Sequence, residues 1–137
     1  MIRTIFSLAI FLFCYCAKAS TIDIKDAWVR ATIEDAGSTS FYFNIQNLSE
    51  KSDYLLEVKS DISDEIHMQK TVSINGISKS VMIDKIVLPA NTEVKFAPFG
   101  INVLLANVKK QIKVGSKVKL TLLFKNSPSI EIHAFAK

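Results

Sequence analysis

At 137 residues, 49% of them hydrophobic and 22% charged, the chain holds one domain with a sizeable core. That apolar content excludes an intrinsically disordered protein, and two cysteines exclude a disulfide scaffold. The formal net charge of +4 falls to a weak +2 once the first nineteen residues are set aside, which leaves no nucleic-acid footprint. The first element is an export signal, residues 1–19. Arg3 supplies its positive end, Ile5 to Cys16 form an apolar run, and Ala17-Lys18-Ala19 place small residues before a cleavage site. The run is shorter than the roughly 20 apolar residues a membrane span needs. Phe13 and Tyr15 before the two cysteines disfavour lipoprotein processing. Cleavage leaves a single domain, residues 20–137, without a membrane span. It loses Arg3, Lys18 and both cysteines, so 15 basic against 13 acidic residues leave +2 and thiol chemistry is excluded.

The rest of the chain has the period of β-strands. Phe41, Phe43 and Ile45 alternate with Tyr42, Asn44 and Gln46. Val94 and Phe96 alternate with Glu93 and Lys95. Val118, Leu120, Leu122 and Phe124 alternate with Lys117, Lys119 and Thr121, and Ile130, Ile132 and Ala134 with Glu131 and His133. Turn residues separate the runs: Asn75-Gly76, Pro89-Ala90-Asn91, Pro98-Phe99-Gly100, Gly115-Ser116 and Ser127-Pro128-Ser129. The pattern predicts an all-β fold, an antiparallel β-sandwich or barrel without substantial helix. Trp28, Phe41, Phe43, Val118, Leu120 and Leu122 are its expected core.

The candidate chemistry lies around Asn75-Gly76, a two-residue hairpin signal. With these as loop residues, Ile74 opposes Ile77 and His67 opposes Asp84. One face then carries Met68, Val72, Ile74, Ile77, Val81 and Ile83. The other carries His67, Gln69, Thr71, Ser80, Met82 and Asp84. Met68 is therefore expected in the core, whereas Met82 lies one diagonal from His67, within side-chain reach. An imidazole and a thioether there are candidate ligands for one soft ion, Cu(I) in particular. The plain alternative is a surface histidine beside an exposed methionine. His133 is expected to face solvent, and Lys109, Lys110 and Lys113 to form a solvated turn. Nothing in the chain has the pattern of a catalytic triad, an apolar-pocket carboxylate pair or a phosphate loop, so a non-enzymatic protein is expected.

The mature chain resembles the PCu(A)C family of periplasmic copper chaperones. Asp26-Ala27-Trp28-Val29-Arg30-Ala31-Thr32 is similar to that family's Ala-Trp-x-Arg-Ala segment, and Ser40 to Asn47 to its first long strand. Ile66-His67-Met68 and Ile86 to Ala90 follow in order. Pro98 to Leu105, with Lys109-Lys110 beyond, is similar to its Pro-Gly-Gly-x-His-x-Met region, and Gly115 to Leu122 to its C-terminal strand. The resemblance implies a cupredoxin-like β-sandwich in the periplasm. It also implies Cu(I) cargo passed to a copper-receiving protein such as a cytochrome oxidase subunit or its assembly factor. The family's ligands run His, ten residues, Met, twenty-one residues, His, one residue, Met. His67 matches the first. Counting back from the downstream end puts Ser80 at the first Met, but a hairpin lengthened by two residues on each arm puts Met82 there. Asn102 and Leu104 stand at the last two positions and supply no Cu(I) ligand. The expected site is thus His67 and Met82, an incomplete set. Two other functions compete: a relative that has lost tight copper binding and acts as a protein-binding or assembly factor, and an unrelated exported sandwich that binds a glycan.

Overall fold

A computed structural model describes residues 21–137; the expected export signal, residues 1–19, and its expected cleavage site lie outside the described residues. Ten strands follow one another: β1 (Ile22–Val29), β2 (Ser38–Asn47), β3 (Asp53–Lys59), β4 (Glu65–Ile74), β5 (Ile77–Met82), β6 (Ile86–Leu88), β7 (Thr92–Lys95), β8 (Ile101–Ala106), β9 (Lys117–Phe124) and β10 (Ile130–Ala136). The described residues contain no helix, as the period-two pattern requires. The strands form one hydrogen-bonded path, β5-β4-β8-β2-β1-β10-β9-β3-β6, with β7 paired to β2. One edge of β2 serves β8 through Ser38–Phe41 and β7 through Asn44–Asn47. The path folds over so that β3 approaches β4 and β6 approaches β2, which gives the sandwich its two layers. The strand-to-strand pairings are antiparallel except β1 with β10, where Trp28 lies beside Phe135; an isolated parallel bridge also joins Phe96 to Ile101.

The inward residues of the alternating runs meet between the layers. Val29, Phe41, Phe43, Ile45, Leu55, Leu88, Val103, Leu105, Leu120 and Leu122 are fully buried, and Phe43 stacks on Phe96 at 4.3 Å. Asn47 closes the far end of β2. Its Nδ2 donates to the carbonyls of Lys51 and Leu88, both at 2.9 Å, while its Oδ1 accepts from the Ser49 amide. Asp53 does the same for the β9–β10 turn: it accepts from the amides of Tyr54, Asn126 and Ser127 and from Ser127 Oγ.

Five of the six expected core residues are buried; Trp28 is not. The β1–β2 register shifts between Lys25 and Trp28, where Asp26 takes a φ of 55°. A bulge of this kind exchanges the faces of the residues beyond it. Val29 therefore points inward. Trp28 packs on the outer face, stacked on Tyr42 at 4.4 Å with the Lys137 ammonium over its ring. A second departure concerns the hairpin tip. Ile74, Ile77 and Val81 share the face of buried Met68, yet all three are exposed, Ile77 to 70%. The hairpin projects beyond the opposite layer, so its inward face has nothing to pack against near the turn.

Candidate metal face

Asn75 and Gly76 both adopt positive φ, 51° and 77°, as a type I′ loop demands. The register follows from that turn: Ile74 opposes Ile77, Val72 opposes Lys79, Thr71 opposes Ser80 and Gln69 opposes Met82. The pairing runs on past the strand end, where the Ile83 amide donates to the Met68 carbonyl at 2.9 Å. β4 is paired on its other edge to β8, with His67 opposite Leu104, Met68 opposite Val103 and Gln69 opposite Asn102.

Since side chains alternate between faces, this register sorts every residue of interest. Met68 and Val103 point into the core. His67, Gln69, Met82, Asn102 and Leu104 share the outer face of the β5-β4-β8 ribbon. His67 and Met82 border a small cleft of about 180 Å³ at the sheet edge beside β3, which Met68 and Ile83 also line from the inner side. Met82 is 63% exposed and the His67 side chain 33%. The imidazole Nε2 lies 3.5 Å from Glu65 Oε1, a long contact, and the other oxygen of that carboxylate accepts from Asn107 Nδ2. A carboxylate beside the imidazole favours a cation at this end of the face.

The structure thus brings His67 and Met82 to one face and leaves His133 away from them on β10. It also brings Asn102 and Leu104 to that face, which the hairpin register could not show because β4 and β8 are distant in sequence. Asn102 is only 7% exposed, and its Oδ1 accepts a 3.1 Å hydrogen bond from Gln69 Nε2. Of the two positions where further donors would be needed, Asn102 is thus tied into an amide pair that bridges β4 and β8, and Leu104 offers a hydrocarbon. The donor chemistry fits Cu(I) on one half of the face and not on the other. Among the described residues no three His, Cys, Asp or Glu side chains gather as a metal site. The outer face continues across β2. Ser40 lies opposite Leu104, and Tyr42, stacked on Trp28, approaches Arg30 Nη2 at 3.5 Å.

Comparison with known proteins places this geometry. A family model described as "LpqE-like: Putative lipoprotein LpqE-like" matches residues 22–136. The chain is 28% identical over 109 residues to RP573 of Rickettsia prowazekii (strain Madrid E), covering 77% of this chain and 60% of that protein. It is 23% identical over 108 residues to "Putative lipoprotein Lxx21020" of Leifsonia xyli subsp. xyli (strain CTCB07), covering 78% and 64%. The chain therefore spans less than two thirds of the length of these curated relatives. Among solved structures, the copper-bound PCuAC domain from PmoF2 matches with a TM-score of 0.73 and 28% identity over 87% of this chain and 95% of that one. The Cu(I) form of DR1885 from Deinococcus radiodurans matches with a TM-score of 0.71 and 22% identity, over 88% and 81%, and so bears on the fold alone. The resemblance read from the segments around Trp28, His67 and Pro98 is borne out, and with it the cupredoxin-like sandwich.

Proposed function

The chain belongs to the LpqE-like family and has the fold of PCuAC domains, and from that footing we propose that it is an exported, periplasmic copper-binding protein of chaperone type. Cu(I) is its cargo, held by His67 Nε2 or Nδ1 and the Met82 thioether. The observation that carries this reading is that the His67 and Met82 side chains share the outer face of the β4–β5 hairpin, one diagonal apart. A thioether has no proton to lose and selects Cu(I) over harder ions, while imidazole serves as the borderline partner. Two donors hold the ion weakly, and a partner's ligands complete the set as it leaves. The receiving protein is a cytochrome oxidase subunit or one of its assembly factors. Export is supported by residues 1–19 and by relatives named as lipoproteins. No catalytic role is part of this function.

The Gln69–Asn102 hydrogen bond favours a second reading, in which the chain has given up tight copper binding and serves as a protein-binding or assembly factor. Cu(I) titration against a competing chelator separates the two. Under the first, the protein takes up one Cu(I), and His67→Ala and Met82→Leu each abolish uptake while Met68→Leu does not. Uptake unchanged by His67→Ala, or none at all, would give precedence to the second.

A further inference from the structure

The lysines near residue 110 are exposed on a loop, as a solvated turn requires, and Lys110 and Lys113 also line one wall of a groove. The loop between β8 and β9 is pinned along its length. The Lys109 amide donates to the Ile62 carbonyl at 3.0 Å, and Thr32 and Ile112 exchange hydrogen bonds at 2.8 and 2.9 Å. Near β9 the Gly115 amide donates to the Ala136 carbonyl, and the Ala136 amide to the Ser116 carbonyl. This loop closes over the core beside β9 and β10, with Ile112 packed into the core, while the outward residues of those strands pair Lys117 opposite Phe135 and Lys119 opposite His133. Between them is a groove of about 430 Å³, floored by Ile62, Ile112 and Val118. Lys110 and Lys113 line it from the loop, Lys117, Lys119 and His133 from the sheet, and Asp61 is its one carboxylate.

The charges in this groove are unbalanced. Among the described residues, no carboxylate lies within 4.0 Å of Lys110, Lys113 or Lys117. Lys119 reaches Glu131 only at 4.0 Å, with both side chains about half exposed. Four exposed lysines around one groove that holds a single carboxylate give it a positive field that draws in a counter-ion. The volume falls within the range of small-molecule sites, about 300–1,000 Å³.

We propose that this groove binds a small, multiply charged oxyanion, recognised by the Lys110 and Lys113 ammoniums on one side and those of Lys117 and Lys119 on the other. The site is separate from the His67–Met82 face and stands whether or not copper binds there. Phosphate groups free in solution and those of lipid headgroups share this chemistry, and a comparison with vesicles separates the two.

The test uses inorganic pyrophosphate as probe, with calorimetry and backbone amide NMR. The expected result is saturable binding of one pyrophosphate, with the amides of Lys113, Ser116 and Lys117 shifting most. The double charge reversal Lys113→Glu, Lys117→Glu should weaken binding at least tenfold. Lys70→Glu with Lys79→Glu, the same change of charge on the hairpin, should weaken it less than threefold. Should the groove variant lose its native spectrum, Lys113→Gln with Lys117→Gln replaces it, and a loss of at least threefold is then expected. Equal weakening by the groove and hairpin variants would overturn the site in favour of general attraction. Absence of saturable binding would overturn it, as would binding confined to phosphatidylglycerol vesicles.

Discussion

Replacing Asn102 by His and Leu104 by Met converts two non-ligands on the outer face of β8 into donors. Leu104 lies directly opposite His67, and directly opposed residues have Cβ atoms roughly 4.5–5.5 Å apart. A methionine there reaches an ion on the imidazole without moving the backbone, and Leu→Met nearly conserves volume. Position 102 lies two residues along the same face, opposite Gln69, so a histidine there displaces the 3.1 Å Gln69–Asn102 hydrogen bond. Losing that bond costs about 1 kcal/mol of fold stability, a tolerable amount. With His67 and Met82 in place, the double variant offers two imidazoles and two thioethers on three adjacent strands. It should bind Cu(I) at least tenfold more tightly than wild type, equivalent to about 1.4 kcal/mol. Leu104→Met alone should supply part of the gain, and His67→Ala should remove it. Competition with a colourless-to-coloured Cu(I) chelator reads all four affinities. A wild type that already binds as tightly as the double variant would refute the placement of ligands. Tight binding by the double variant that survives His67→Ala would refute the convergence of β4 and β8 on one ion.

Burial opposes ionisation of Asp53, but hydrogen bonds from Ser127 Oγ and from the amides of Tyr54, Asn126 and Ser127 outweigh it and hold its carboxyl below the usual value. Its contribution to stability is therefore complete above pH 4 and lost as pH falls through the depressed folded value. Asp53→Asn should cost about 2–3 kcal/mol at pH 7, and denaturant titrations should show the gap to wild type narrowing below pH 4. Leu120, fully buried on β9, should cost about 2–5 kcal/mol when truncated to Ala; a cost under about 0.5 kcal/mol would place it at the surface. Phe99 holds a φ of 64° while 91% exposed, so Phe99→Gly should raise stability by about 1 kcal/mol in thermal or denaturant unfolding.

Strand positions, turn positions and the β4–β5 register were legible in the sequence by itself, because each is set by neighbours in the chain. Side-chain alternation has a period of two, and Asn75-Gly76 tolerates the positive φ of a type I′ loop, so the sorting of Met68 from Met82 needs no knowledge of the rest of the fold. Trp28 shows the limit of that reasoning. Its apolar character marks it for the core, but one bulge at Asp26 turns it to the outer face, and a bulge has no signature in composition. Only the tertiary structure decided which strands flank β4. The β8 neighbour puts Asn102 and Leu104 beside His67, and nothing local to either segment specifies that pairing. The same holds for the hairpin tip, whose aliphatic face is exposed because the opposite layer ends short of it. It holds again for the lysine groove, whose walls are set by hydrogen bonds from Thr32, Ile62 and Ala136 to a loop far from each of them in the chain. Local patterning determines what a segment becomes, while long-range pairing and packing determine which segments share a face, and sites are built from shared faces.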